Sequence, residues 1–219
     1  SPEGEVLMVL GTPGETGDPP THFTDPNDVL VAPDGSIFVG DTHGAQFQSS
    51  PGPDSKSRIS KFAPDGTFIM SFGQWGYGDG EFRAPHSLAM DSQGRLFVAD
   101  RGNRRIQIFD QQGRFLDKWT DLGVIQGMYY VASEDALYMT DGPNSRIIRV
   151  DMDGTVTGVL GEFGKIPGKL DIPHFVAVDS EGDVYVADWG NKRVQIYDQG
   201  GDILTALWGA ATVFSKAAQ

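Results

Sequence analysis

The sequence predicts an all-β chain assembled from repeated four-stranded units, a propeller or a solenoid. Three observations carry this. Short runs of alternating polar and apolar residues are separated by turns rich in Asp, Asn and Gly. Two signatures recur in register: Val39-Gly40-Asp41, Val98-Ala99-Asp100, Met139-Thr140-Asp141 and Val186-Ala187-Asp188 close one strand of each copy, while Arg58-Ile59, Arg105-Ile106, Arg146-Ile147 and Arg193-Val194 open the next. The 29 glycines and 13 prolines have no short period, so they read as turn chemistry rather than collagen or low complexity.

The clearest copy runs from Pro85 to Trp119. Ser87 to Met90 alternates, Asp91-Ser92-Gln93-Gly94 turns the chain, and Leu96 to Ala99 extends again. Asp100-Arg101-Gly102-Asn103 makes a second turn, Arg105 to Phe109 is a third strand, and Asp110 to Gly113 leads into a fourth, Phe115 to Trp119. The motif Asp-x-Gly-Asn-x-Arg-(Ile/Val)-Gln-Ile-(Phe/Tyr)-Asp, present at 100–110 and 188–198, resembles the NHL repeat of six-bladed β-propellers. The resemblance covers nearly the whole chain and implies one propeller domain, 1–219, of NHL-type blades.

In chain order, Glu5 to Leu10 is expected to be the last strand of a blade whose other strands are not in this sequence. A Gly/Pro/Thr-rich connection, 12–24, leads to a blade at about 26–73, with a polar surface loop from His43 to Lys56 inserted between its second and third strands. The Gly-rich link 74–82 carries Trp75 and Tyr77, which either line a pocket or cap a seam between blades. Further blades follow at about 85–120, 125–161 and 173–209, the third least faithful, with Gln126-Gly127 in place of Pro-His. Four blades and one orphan strand leave an expected open arc, whose apolar ends would favour self-association.

Composition narrows function. With 39% hydrophobic residues the chain can bury a core, and a net charge of −13 argues against sequence-independent nucleic-acid binding, so RNA-binding NHL domains are a poor guide. No run is long enough for a membrane span. Without cysteine, any metal must be held by nitrogen or oxygen. Compartment is left open.

The inner strands of a propeller converge on its axis, and the positions opening them hold Asn27, His86, Gly127 and His174. Two histidines at matched positions suit a metal on the axis; the alternative is that each simply bonds the top of its own strand. A third ligand would have to come from His22, from His43 or from a blade outside this sequence. The next rim position holds Thr42, Arg101, Gly142 and Trp189, where Arg101 could fork onto a carboxylate or pair within its blade. Asp41, Asp100, Asp141 and Asp188 are expected to bind turn amides.

His22-Phe23 with Pro26-x-Asp28-Val29, Phe82-x-x-Pro85-His86-Ser87-Leu88-Ala89, Val98-Ala99-Asp100-Arg101 and Asp171-x-Pro173-His174 together resemble the lyase domain of peptidylglycine α-amidating enzymes. That family converts peptidyl-α-hydroxyglycine to an amidated peptide and glyoxylate, with zinc on three histidines, a tyrosine as base, arginines for the substrate carboxylate and a structural calcium. The resemblance implies His86 and His174 as zinc ligands and Arg101 as the carboxylate anchor. His43 falls where the family has its tyrosine and would serve as base, while Ile172 replaces a methionine and Phe175 a calcium-binding Asp. Three functions stand side by side: a metal-dependent lyase, a rim with Trp75, Tyr77 and Trp189 that binds a peptide or protein partner, and a bare scaffold.

Overall fold

The computed structural model describes residues 1–42 and 56–208. Among them are sixteen strands in four antiparallel sheets, each a meander of four consecutive strands. Blade 1 comprises β1 (Pro26–Val31), β2 (Ile37–Asp41), β3 (Arg58–Phe62) and β4 (Phe68–Phe72), and blade 2 comprises β5 (Pro85–Met90), β6 (Leu96–Asp100), β7 (Arg105–Phe109) and β8 (Phe115–Trp119). Blade 3 is β9 (Ile125–Val131), β10 (Ala136–Asp141), β11 (Arg146–Asp151) and β12 (Val156–Leu160); blade 4 is β13 (Pro173–Val178), β14 (Val184–Asp188), β15 (Arg193–Tyr197) and β16 (Ile203–Trp208). The fold is all-β and the blades are those of a β-propeller. Two compact units divide the chain, Ser1–Lys118 with blades 1 and 2, and Trp119–Gln219 with blades 3 and 4.

Local chemistry sets each hairpin. At the blade 2 turn the Asp91 carboxylate accepts the N–H groups of Gln93 and Arg95 at 3.0 and 2.8 Å, and Gly94 takes φ +77°, which a side chain would resist. The same device recurs at Asp110, Asp151 and Asp179.

In the first unit, Phe38 and Ile59 of blade 1 pack against Phe82, Leu88, Leu96, Val98 and Phe109, with Phe72 and Phe115 at the edge. In the second, Ile147 of blade 3 packs with Leu170, Val176, Val178, Val184, Val186 and Tyr197. Within each unit the innermost strands are neighbours, β1 against β5 and β9 against β13. That adjacency brings the residues opening each inner strand together in pairs.

Two expectations need comment. Glu5 to Leu10 forms no strand; Val6, Leu7 and Val9 are 80%, 78% and 62% exposed. Its β-prone residues find no backbone ladder to join, and it is held by side chains instead, Met8 and Leu10 lying against the Gly66 turn and Leu10 packing with the Phe23, Val39 and Phe62 cluster. The insertion between β2 and β3 is where the sequence put it, with residues 43–55 outside the described residues and the Thr42 hydroxyl donating to the Lys56 carbonyl oxygen at its base.

Candidate functional site

A buried carboxylate clamps the rim of every blade. Asp41, Asp100, Asp141 and Asp188 are fully buried at the ends of β2, β6, β10 and β14. Each accepts a backbone N–H from the strand-entry loop, as in Arg83 to Asp100 at 2.7 Å and Asp171 to Asp188 at 2.8 Å, and each pairs with the arginine opening the third strand. In blades 2 and 4 an asparagine and a glutamine complete the set: Asn103 and Asn191 donate to the aspartate at 2.8 Å, and Gln107 and Gln195 at 3.2 and 3.0 Å. The same arginines hold the rim loops by their carbonyls, Arg105 taking Tyr77 and Gly78, Arg193 taking Lys165 and Ile166. These aspartates are structural, as expected from the sequence.

The inner-strand positions divide by blade. Asn27 Nδ2 donates to the Pro85 carbonyl oxygen, tying β1 to β5. In the second unit a Cβ on Gly127 would come within 2.7 Å of the His174 carbonyl oxygen, and Thr140 donates to that oxygen at 3.0 Å. Blades 1 and 3 therefore spend this position on joining inner strands, and blades 2 and 4 place histidine there. Two residues before these histidines, Ala84 and Ile172 have φ of +58° and +50°, an unfavourable conformation for side-chain-bearing residues that occurs at this position only in the two histidine blades among the described residues.

In blade 2, Pro85 pairs with Asp100, so β5 and the turn that follows β6 meet at one rim. His86 is 2% exposed. Arg101 opens the 3-10 turn Arg101–Asn103, and burial lowers its guanidinium pKa from the ordinary value. In blade 4, Pro173 pairs with Asp188, and the His174 and Trp189 rings lie near one another with centroids 6.4 Å apart; Phe175 packs on the same histidine at 5.0 Å. Trp189 is 63% exposed.

Sequence reasoning gave no role to two residues at the rim, Arg83 and Asp28. The Arg83 guanidinium lies 4.9 Å over the Tyr77 ring, with its Nε buried and not hydrogen-bonded. Trp75 meets the edge of the same ring at 5.6 Å, so these aromatics form a stack on the rim loop of blade 2. Asp28, on β1, accepts the Leu88 N–H at 2.7 Å, and burial raises its pKa above the usual carboxylate value. The polar pair Asn27-Asp28 opening an inner strand was the available signal.

The metal implied by resemblance can be tested on the donors. Among the described residues no three His, Cys, Asp or Glu side chains converge. His22 has both ring nitrogens engaged, Nδ1 with Thr21 Oγ1 at 2.8 Å and Nε2 with Glu15 at 3.0 Å. His43 lies outside the described residues, and His86 and His174 fall one in each unit. The Phe175 side chain offers calcium no oxygen. Among the described residues no zinc site is completed.

The clamp of Asp, Asn, Arg and Gln is most complete in blades 2 and 4, and the NHL repeat family matches there, at residues 82–109 and 170–197. The chain carries NHL repeats. The human NHL repeat-containing protein 3 is 32% identical over 208 residues, covering 89% of this chain and 56% of that protein. Peptidyl-glycine alpha-amidating monooxygenase A of Xenopus laevis is 34% identical over 196 residues, covering 83% of this chain and 20% of the relative. The NHL chain thus spans about half the length of the first and a fifth of the second. Among solved structures, virginiamycin B lyase from Staphylococcus aureus has a TM-score of 0.60 at 17% identity, over 86% of this chain and 57% of that one. At that identity the likeness establishes the propeller fold alone.

Proposed function

We propose that this NHL-repeat chain binds a peptide or protein partner on the rim where its inner strands begin. The observation that carries the reading is the three-ring surface of blade 4, in which exposed Trp189 and Phe175 flank His174. Exposed aromatic rings anchored by a rigid turn have the character of interface hot spots. Asp188, Arg193 and Asn191 fix that turn, so the rings meet a partner with little ordering cost. Tyr77 on Arg83 gives blade 2 a second such surface on its own rim.

The test is selection of peptides from a random library on the intact chain, followed by fluorescence anisotropy with Trp189→Ala and Phe175→Ala. A loss of about 30-fold or more in affinity with Trp189→Ala is expected for a hot spot. Selected peptides that bind the variants as tightly as the parent would overturn the reading.

A second reading, a lyase resembling the amidating enzymes, has the 34% identity to the Xenopus protein in its favour. In that reading Arg101 would hold a substrate carboxylate. Because the described residues do not complete a zinc site, glyoxylate release from an α-hydroxyglycine peptide is expected to be weak or absent. Robust zinc-dependent turnover lost in His86→Ala would establish the lyase instead.

A further inference from the structure

The two units contain the same kind of seam between adjacent blades, and they are filled to different extents. In the first unit, Ile59 of β3 pairs with Phe72 of β4 and Lys61 with Met70. Phe72 crosses to blade 2, 5.2 Å from Phe109 and so close to Gly113 that a Cβ there would sit 2.5 Å away. Lys61 follows it, donating to the Gln111 carbonyl oxygen at 3.2 Å.

At matched positions in the second unit, Ile147 pairs with Leu160 and Arg149 with Gly158. Leu96, opposite Phe109, has Val184, opposite Tyr197, as its counterpart. Phe72, Met70 and Leu96 are thus replaced by Leu160, Gly158 and Val184, each smaller. Arg149 does not follow Lys61 across the seam; it donates to Glu134 at 2.7 Å and to Thr157 at 2.8 Å within its own blade. What remains is a cavity of about 230 Å³ floored by Ile147, Leu160 and Val184. It shares Tyr138, Arg149 and Gln199 with an outer recess of about 510 Å³.

We infer that the seam between blades 3 and 4 is a binding pocket for a small aromatic amine, the ring in the apolar cavity and the ammonium in the recess. Gly158 and Leu160 stand where Met70 and the aromatic Phe72 fill the other seam, and the cavity they leave is lined mainly by apolar residues. The polar recess carries Glu134 and Asp179, with Asp198 at the inner cavity, against one cation, Arg149, already paired with Glu134. Excess carboxylate beside an apolar slot favours a cationic head and disfavours an anionic one. The pocket is separate from the rim assigned above to a partner: its turns, 131–136 and 198–203, lie at the opposite ends of the strands from His174 and Trp189.

Tryptamine titrated into the isotopically labelled chain and followed by two-dimensional NMR tests this, with indole-3-acetate as the anionic counterpart. Saturable shifts around Tyr138, Leu160 and Val184 are expected, with the acid weaker by about tenfold or more. Leu160→Phe and Val184→Leu, each moving the seam toward its filled counterpart, should weaken tryptamine binding by about tenfold or more, and the second carries the test if the first does not fold. Absence of saturable binding, equal binding of acid and amine, or unchanged affinity in the folded variants would overturn the inference.

Discussion

Replacing Tyr197 with phenylalanine is expected to stabilise the second unit. Tyr197 lies on β15, is 1% exposed, and buries its hydroxyl without a hydrogen-bond partner among the described residues. Its counterpart in blade 2 is Phe109, also fully buried, so the fold accepts the bare ring at this position. An unsatisfied buried hydroxyl costs about 1–3 kcal/mol. Its removal should raise stability by about 1–2 kcal/mol, or a few degrees in Tm for a protein of this size. Burial, then the negative charge of Asp188, pushes the phenol up to about 12. Since that is above the unfolded value of about 10, the native state keeps its proton where the unfolded chain loses it. Stability from this group is complete below pH about 10 and is lost as pH rises to about 12. The phenylalanine variant should lack that loss. Urea denaturation at pH 7 and across the alkaline range measures both effects; a variant less stable than the parent at pH 7 would show that the hydroxyl is satisfied and the reasoning wrong.

Breaking one buried clamp should be far more costly than any rim change: Arg193→Met leaves the Asp188 carboxylate, fully buried, without its cation, and a loss of about 3–5 kcal/mol in chemical denaturation is expected. Phe72→Ala should cost about 3–5 kcal/mol in the same assay, because it removes the ring that packs on Phe109 and Gly113. Trp189→Ala, on an exposed ring, should shift stability by no more than about 0.5 kcal/mol while removing peptide affinity, a separation that thermal unfolding and anisotropy together would check. Gly102→Ala should disturb the blade 2 rim, since its Cβ would fall 2.2 Å from the Arg83 carbonyl oxygen, and loss of the Arg101–Asn103 turn would be visible by NMR.

The blade was legible in the sequence because what defines it is local and repeated. Asp100 and Arg105 sit directly opposite in the β6–β7 ladder, so a signature five residues apart reports a contact, and four copies of it report an architecture. Glu5 to Leu10 shows the reverse case: the strand pattern is present, but a strand is a relation to a neighbour and none is there. Arg83 on Tyr77 and Asp28 on Leu88 were hidden for the same reason, as both are joined through folded neighbours rather than through spacing.

The seam pocket was in the sequence in another form, because Phe72 and Leu160, Met70 and Gly158, Leu96 and Val184 are matched repeat positions whose sizes can be read off. What could not be read was that residues of one blade and the next share a wall, so a smaller residue on each side leaves one space rather than two isolated changes. The inner strands repeat the lesson. Asn27 and Gly127 looked like lapses from a histidine pattern, yet each serves the junction with the following blade, Asn27 by donating to Pro85 and Gly127 by making room for the backbone of His174. In the described structure the repeating element is a pair of blades, the first giving up its rim residue to hold the second, and the second presenting histidine, His174 with Trp189 at its side. Function should therefore be sought blade pair by blade pair, with His86 and His174 weighed against the rim neighbours each actually has.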